Sequence, residues 1–187
     1  MPLSLVGSEM CIRDRGGTPL HGTLAISGSK NAVLPLMVAG LLTDQPVILR
    51  GTPRLADTRT LASVLQELGA EVEEFGSGPG EGVRVHAHDL TSVRAPYELV
   101  SKMRASFWVL GPLLARARKA EVSLPGGCAI GTRPVDLYLT GLAKMGADIA
   151  VEGGYVIAAA RDGLKGARLD LPFVSVGATH VLMLSQI

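Results

Sequence analysis

The chain has 187 residues, 47% of them hydrophobic, and a formal net charge of +1. That length and apolar content suffice for one domain with a substantial core, and so small a charge provides no field for nucleic acid or an anionic membrane. The longest apolar runs, near residues 34–42 and 107–115, are too short to cross a bilayer, and two cysteines, Cys11 and Cys128, form no disulfide framework and suit a reducing cytoplasm.

Residues 1–15 show no periodicity and lack the basic-then-apolar order of a signal peptide. They read as a foreign or disordered leader, with organised sequence beginning at Gly16. Residues 23–27 alternate as a short strand. Gly28 and Ser29 turn the chain, and Lys30 and Asn31 open a helix to about residue 43. A strand at 47–50 follows. Asp57 caps or opens the next helix, which carries Leu61, Leu65 and Leu68 and ends at Gly69. Residues 71–75 and 83–87 read as a strand pair around a glycine-rich hairpin loop.

The same order then recurs. Residues 96–101 lead into a helix from about 103 to 116. A strand at 120–124 and a helix from Val135 to Gly146 come next, then a strand pair at 148–152 and 155–160. Leu65-Gln66-Glu67-Leu68-Gly69-Ala70 answers Leu142-Ala143-Lys144-Met145-Gly146-Ala147, and Ala39-Gly40-Leu41-Leu42 answers Gly111-Pro112-Leu113-Leu114, at a spacing of roughly 72 to 77 positions. A third copy begins at Leu164-Lys165-Gly166, with an expected strand at 167–171 and a helix opening at 175–179. The reading is an α/β domain over residues 16–187. It comprises βαβαββ units at about 20–90 and 91–163, and a truncated third at about 164–187. Units of this kind bury helices against one another and turn sheets outward.

Between the second strand and helix of the second unit lies Leu124-Pro125-Gly126-Gly127-Cys128-Ala129-Ile130-Gly131-Thr132-Arg133-Pro134-Val135-Asp136-Leu137. Glycines let the backbone approach a ligand closely. A thiol beside a helix start and a cation leans toward the reactive thiolate, although a lone cysteine is more often inert packing. Lys30 and Arg104 fall at corresponding helix starts, and Ser175 marks the third. Units packed about a pseudo-threefold axis would bring these starts together as a phosphate or carboxylate site. His86 and His88 have metal-compatible spacing but no third ligand, so a surface role is expected. Phe107 and Trp108 read as core, and His180 carries no signal.

These residues carry a resemblance. Ser27-Gly28-Ser29-Lys30-Asn31, Lys102-Met103-Arg104-Ala105-Ser106, the Gly-Gly-Cys loop through Asp136, and Ser175-Val176-Gly177-Ala178-Thr179 are similar to the UDP-N-acetylglucosamine 1-carboxyvinyltransferase family, the enolpyruvyl transferases of peptidoglycan synthesis. The resemblance implies an inside-out α/β barrel domain, here the first of two, and a cytoplasmic enzyme. It implies phosphoenolpyruvate and UDP-N-acetylglucosamine as substrates, with no metal or organic cofactor. On it, Cys128 is the active-site thiol, and Lys30 and Asn31 hold phosphoenolpyruvate. Arg104, Arg133, Pro134, Val135, Asp136, Leu137, Phe173, Val174, Ser175 and Val176 contact the sugar nucleotide. Ser29, Tyr138 and Phe173 depart from the family's common residues. The general base is expected from a second domain, so this chain alone is expected not to turn over. The rival readings are a sister enzyme acting on shikimate 3-phosphate, which lacks the Gly-Gly-Cys loop, a non-catalytic sugar-nucleotide binding module, and a purely structural repeat protein.

Overall fold

A computed structural model describes residues 17, 19, 21–24, 26–77, 80–126 and 135–186. The first half holds α1 (Lys30–Ala39), a 3-10 turn (Gly40–Leu42), β1 (Val47–Arg50), α2 (Ala56–Glu67), β2 (Glu71–Phe75) and β3 (Gly82–His86). The second holds β4 (Arg94–Ala95), α3 (Tyr97–Val100), a 3-10 helix (Arg104–Val109), α4 (Leu110–Ala117), β5 (Lys119–Ser123), α5 (Asp136–Lys144), β6 (Asp148–Glu152) and β7 (Tyr155–Ala159). Helix α6 (Val176–Met183) follows.

The two sheets repeat one plan. In the first, β3 lies between β1 and β2 and is antiparallel to both. In the second, β7 lies between β5 and β6 in the same way, and β4 adds a parallel edge to β5. Alternation divides each sheet: Val83 and Val85 of β3 are buried, while Arg84 between them pairs with Glu71 and Glu73 on the outer face. The helices form the interior. Phe107, Leu110, Leu113 and Leu114 are fully buried, and the segment carrying them touches α1, α2 and α6.

The repeated Leu-to-Gly-Ala segments end their helices alike. Gly69 and Gly146 take φ values of 100° and 98°. Ala70 N–H returns to the Leu65 carbonyl and Ala147 N–H to that of Leu142, each at 3.0 Å. Both are the left-handed glycine cap in which the two amides beyond the helix satisfy its last carbonyls.

One side chain ties the halves together. Arg116 of α4 donates to the carbonyls of Leu41, Thr43, Ala87 and His88. Those carbonyls close the 3-10 turn after α1 and the end of β3, so a single guanidinium fork spans two elements of the first half.

Several expectations are corrected. Residues 21–24 and 26–29 are irregular, with Leu24 and Ile26 exposed. A Cβ on Gly28 would meet the Gly51 carbonyl, so this stretch crosses the end of β1 instead of pairing along it. Residues 167–171 are likewise not a strand, since the unit's second strand, which β5 provides for β4, is not among the described residues. The continuous helix at 103–116 is instead α3, a 3-10 segment and α4. Pro112 has no N–H for the Trp108 carbonyl, so an α-helix restarts with proline in its first turn and the residues before it tighten. Of the two roles open to Asp57, it takes the opening one, in the first turn of α2, and does not cap the helix. Leu55 is the N-cap residue, and the Thr58 hydroxyl accepts from Leu55 N–H at 3.1 Å. Residues 1–15, 127–134 and 187 lie outside the described residues.

Candidate functional site

The starts of several helices converge on one cavity of about 710 Å³. That is within the usual range for small-molecule sites. Lys30, Asn31 and Leu34 come from α1, and Asp57 from the first turn of α2. Met103, Arg104, Ala105 and Trp108 come from the 3-10 segment and the residue before it. Leu137 and Tyr138 come from α5. Phe173, Ser175, Val176, Gly177 and His180 complete the wall.

Each start has a local cause. Ser29 is extended at φ −86° and ψ 127°, and its carbonyl accepts from Ala32 and Val33, so Lys30 and Asn31 are the first helical residues. Their amides have no intrahelical acceptor, and Pro35 has no N–H for the Asn31 carbonyl. Ser175 caps α6: its hydroxyl accepts from Ala178 N–H at 3.2 Å. The amides of Val176 and Gly177 precede that capped group. These ends present N–H donors and partial positive charge to the cavity.

Charges are arranged around that potential. Lys30 Nζ lies 2.7 Å from Asp57 Oδ2, and both groups remain partly exposed. Arg104 Nη2 donates to the Tyr138 hydroxyl at 3.5 Å, with its guanidinium 6.0 Å from the ring centroid. Tyr138 is buried, tilted against Phe107 at 5.9 Å. A Cβ on Gly177 would overlap the Tyr138 hydroxyl, so glycine there lets α6 close on α5. Two cations against one carboxylate leave the described lining positive, which suits an anionic ligand.

The cavity thus gathers Lys30, Asn31, Arg104, Leu137, Phe173, Ser175 and Val176 from distant parts of the chain. Three other candidates do not line it. Val135 is buried beneath the start of α5, while Asp136 and Val174 are exposed. Cys128, Arg133 and Pro134 lie outside the described residues. Tyr138, one of the departures from the family's common residues, lines the cavity too, and so do Asp57, Trp108 and His180, which no motif marks for it. Trp108, read as core, is only half-buried and packs edge-on against His180 with ring centroids 4.7 Å apart. Its indole and the Asp57 carboxylate carry no motif, because only tertiary packing brings them to the wall.

Among the described residues no group of three or more His, Cys, Asp or Glu could hold a metal ion. His86 instead bridges Glu71 and the Asp44 carbonyl, and His88 pairs with Asp89. No helix among the described residues is long and apolar enough to cross a membrane.

Known proteins share this fold and much of this sequence. The enolpyruvyl transferase NikO from Streptomyces tendae superposes with a TM-score of 0.71 at 22% identity, over 91% of this chain and 39% of that one. An EPSP synthase from Acinetobacter baumannii does so with a TM-score of 0.63 at 20% identity, over 88% and 38%. In sequence, the chain is 57% identical over 180 residues to a UDP-N-acetylglucosamine 1-carboxyvinyltransferase of Chelativorans sp. (strain BNC1). It is 56% identical over 181 residues to one of Rhizobium meliloti (strain 1021). Both matches cover 93% of this chain, which spans 42% of the relatives' length. A family model described as EPSP synthase (3-phosphoshikimate 1-carboxyvinyltransferase) matches residues 15–187. With its paired α/β sheets and its inward helices, the chain belongs to the EPSP synthase family of enolpyruvyl transferases.

Proposed function

We propose that residues 16–187 form the first domain of a cytoplasmic UDP-N-acetylglucosamine 1-carboxyvinyltransferase of peptidoglycan synthesis. The observation that carries this reading is the cavity where Lys30 and Arg104 meet the starts of α1, α5 and α6. Such a site suits two phosphorylated substrates held side by side. The names of relatives at 56–57% identity support the choice of substrates.

In the proposed reaction the 3-hydroxyl of the N-acetylglucosamine adds to C2 of phosphoenolpyruvate while C3 takes a proton. C3 then returns a proton as phosphate leaves the tetrahedral adduct, giving the enolpyruvyl ether. Lys30 and Asn31 hold the enolpyruvyl donor, with the ammonium released from Asp57 to its phosphate. Arg104, Arg133, Leu137, Phe173, Ser175 and Val176 hold the sugar nucleotide, and Cys128 delivers the proton to C3. A general base is not assigned to any described residue and comes, in this reading, from a further domain of the same protein. The chain by itself then binds substrate without turnover.

Phosphate release with both substrates tests this. The 187-residue chain should release none. A chain extended to the relatives' full length should release phosphate, and Cys128→Ala should abolish most of it. Robust release by the short chain would refute the need for a further domain. Release driven by shikimate 3-phosphate instead of the sugar nucleotide would favour the sister activity.

A further inference from the structure

His180 lies one turn into α6, on the same wall of the cavity as Val176 and Gly177. Its ring stands edge-on to Trp108, at 4.7 Å and 74°, which fixes its orientation. Side chains on a helix lean toward its N-terminus. The ring therefore reaches back over the first turn of α6, where the helix amides favour an anion. Its Nδ1 is shut off from solvent and has no hydrogen-bond partner among the described residues. A proton on Nδ1 would be a buried donor without an acceptor, the costlier kind of orphan. In the neutral ring the proton consequently belongs on Nε2, an assignment that follows from the packing around Nδ1. The residue as a whole is only half-buried and lines the cavity, so with Nδ1 shut in against the protein the ring edge left to meet a ligand is the one that carries Nε2–H.

We propose that His180 Nε2–H donates a hydrogen bond to a phosphoryl oxygen of the sugar nucleotide, beside the start of α6, and so contributes to substrate selection. The inference rests on the sugar-nucleotide reading of the cavity.

Calorimetric titration of the 187-residue chain with UDP-N-acetylglucosamine and with UDP tests it. His180→Leu should weaken both ligands by about tenfold to a hundredfold, the range for a hydrogen bond to a charged group. The melting temperature of the empty protein should not fall, because the substitution removes an orphan. His180→Gln, whose amide nitrogen reaches the Nε2 position, should regain most of the affinity. His180→Asn, which reaches only Nδ1, should not. If His180→Leu fails to fold, the Gln and Asn pair still decides. Wild-type affinity in His180→Leu, or equal binding by Gln and Asn, overturns the assignment while leaving the cavity's ligand intact. A wild-type chain that binds neither UDP compound overturns the sugar-nucleotide reading and this inference with it.

Discussion

Replacing Arg116 by Met keeps the aliphatic stem and removes every donor. The guanidinium bonds to four carbonyls of the first half of the chain. Three of these bonds, to Leu41, Thr43 and Ala87, are partly buried; the one to His88 is exposed, and water replaces it at little cost. A bond from a charged donor contributes about 1.5–3 kcal/mol net when well buried. All three leave from Nη1, whose two N–H groups are shared among them, so with Arg116 half-buried about 1 kcal/mol for each N–H is the appropriate scale, or about 2 kcal/mol together. For a chain of this size each kcal/mol moves the melting temperature by about 2–4 °C, so Arg116→Met should lower it by about 4–8 °C. Thermal unfolding followed by far-UV circular dichroism measures this directly. Arg116→Lys keeps the charge but not the fork and should lose about half as much. A decrease under about 2 °C for Arg116→Met would refute the fork as the tie between the halves. The same substitution should weaken ligand binding, since Lys30 and Asp57 lie on one side of that tie and Arg104 on the other.

Two further outcomes follow from contacts at the cavity. Gly177→Ala places a methyl against the Tyr138 hydroxyl and should destabilise by about 1–3 kcal/mol in urea titration; Tyr138→Phe in the same chain should recover much of the loss, and strict additivity would show the contact to be irrelevant. Asp57→Asn breaks a partly exposed ion pair, so stability should change by less than about 1 kcal/mol. It also removes the carboxylate facing Lys30, so inorganic phosphate should bind severalfold tighter at low salt. Weaker phosphate binding would mean that Asp57 aims the ammonium instead of competing for it.

What could be read from the sequence was whatever is written locally. The Leu-to-Gly-Ala segments state their own helix caps, and Gly69 and Gly146 adopt nearly the same angle because the same hydrogen bonds close both ends. Lys30, Arg104 and Ser175 could be aligned because each stands at a helix start of a repeated unit. What escaped depends on partners. The stretches at 23–27 and 167–171 have strand-like alternation, but a strand exists only where another runs beside it. Pro112 was visible, yet its effect on residues 104–109 depends on where the helix restarts. Whether Asp57 caps or opens its helix depends on such a partner too: it lies in the first turn of α2, while the Thr58 hydroxyl accepts from the Leu55 amide. His180 had no motif, and its meaning comes from the Trp108 face it meets and the buried nitrogen it leaves unsatisfied.

Backbone amide shifts of the 187-residue chain on addition of UDP-N-acetylglucosamine put the convergence of helix starts to the test. Lys30, Asn31, Arg104, Leu137, Val176 and Gly177, far apart in sequence, should respond together and saturate with one affinity. Shifts confined to the outer sheet faces, around Ile48, Glu73 and Ile157, or at only one of these helix starts, would contradict a shared site.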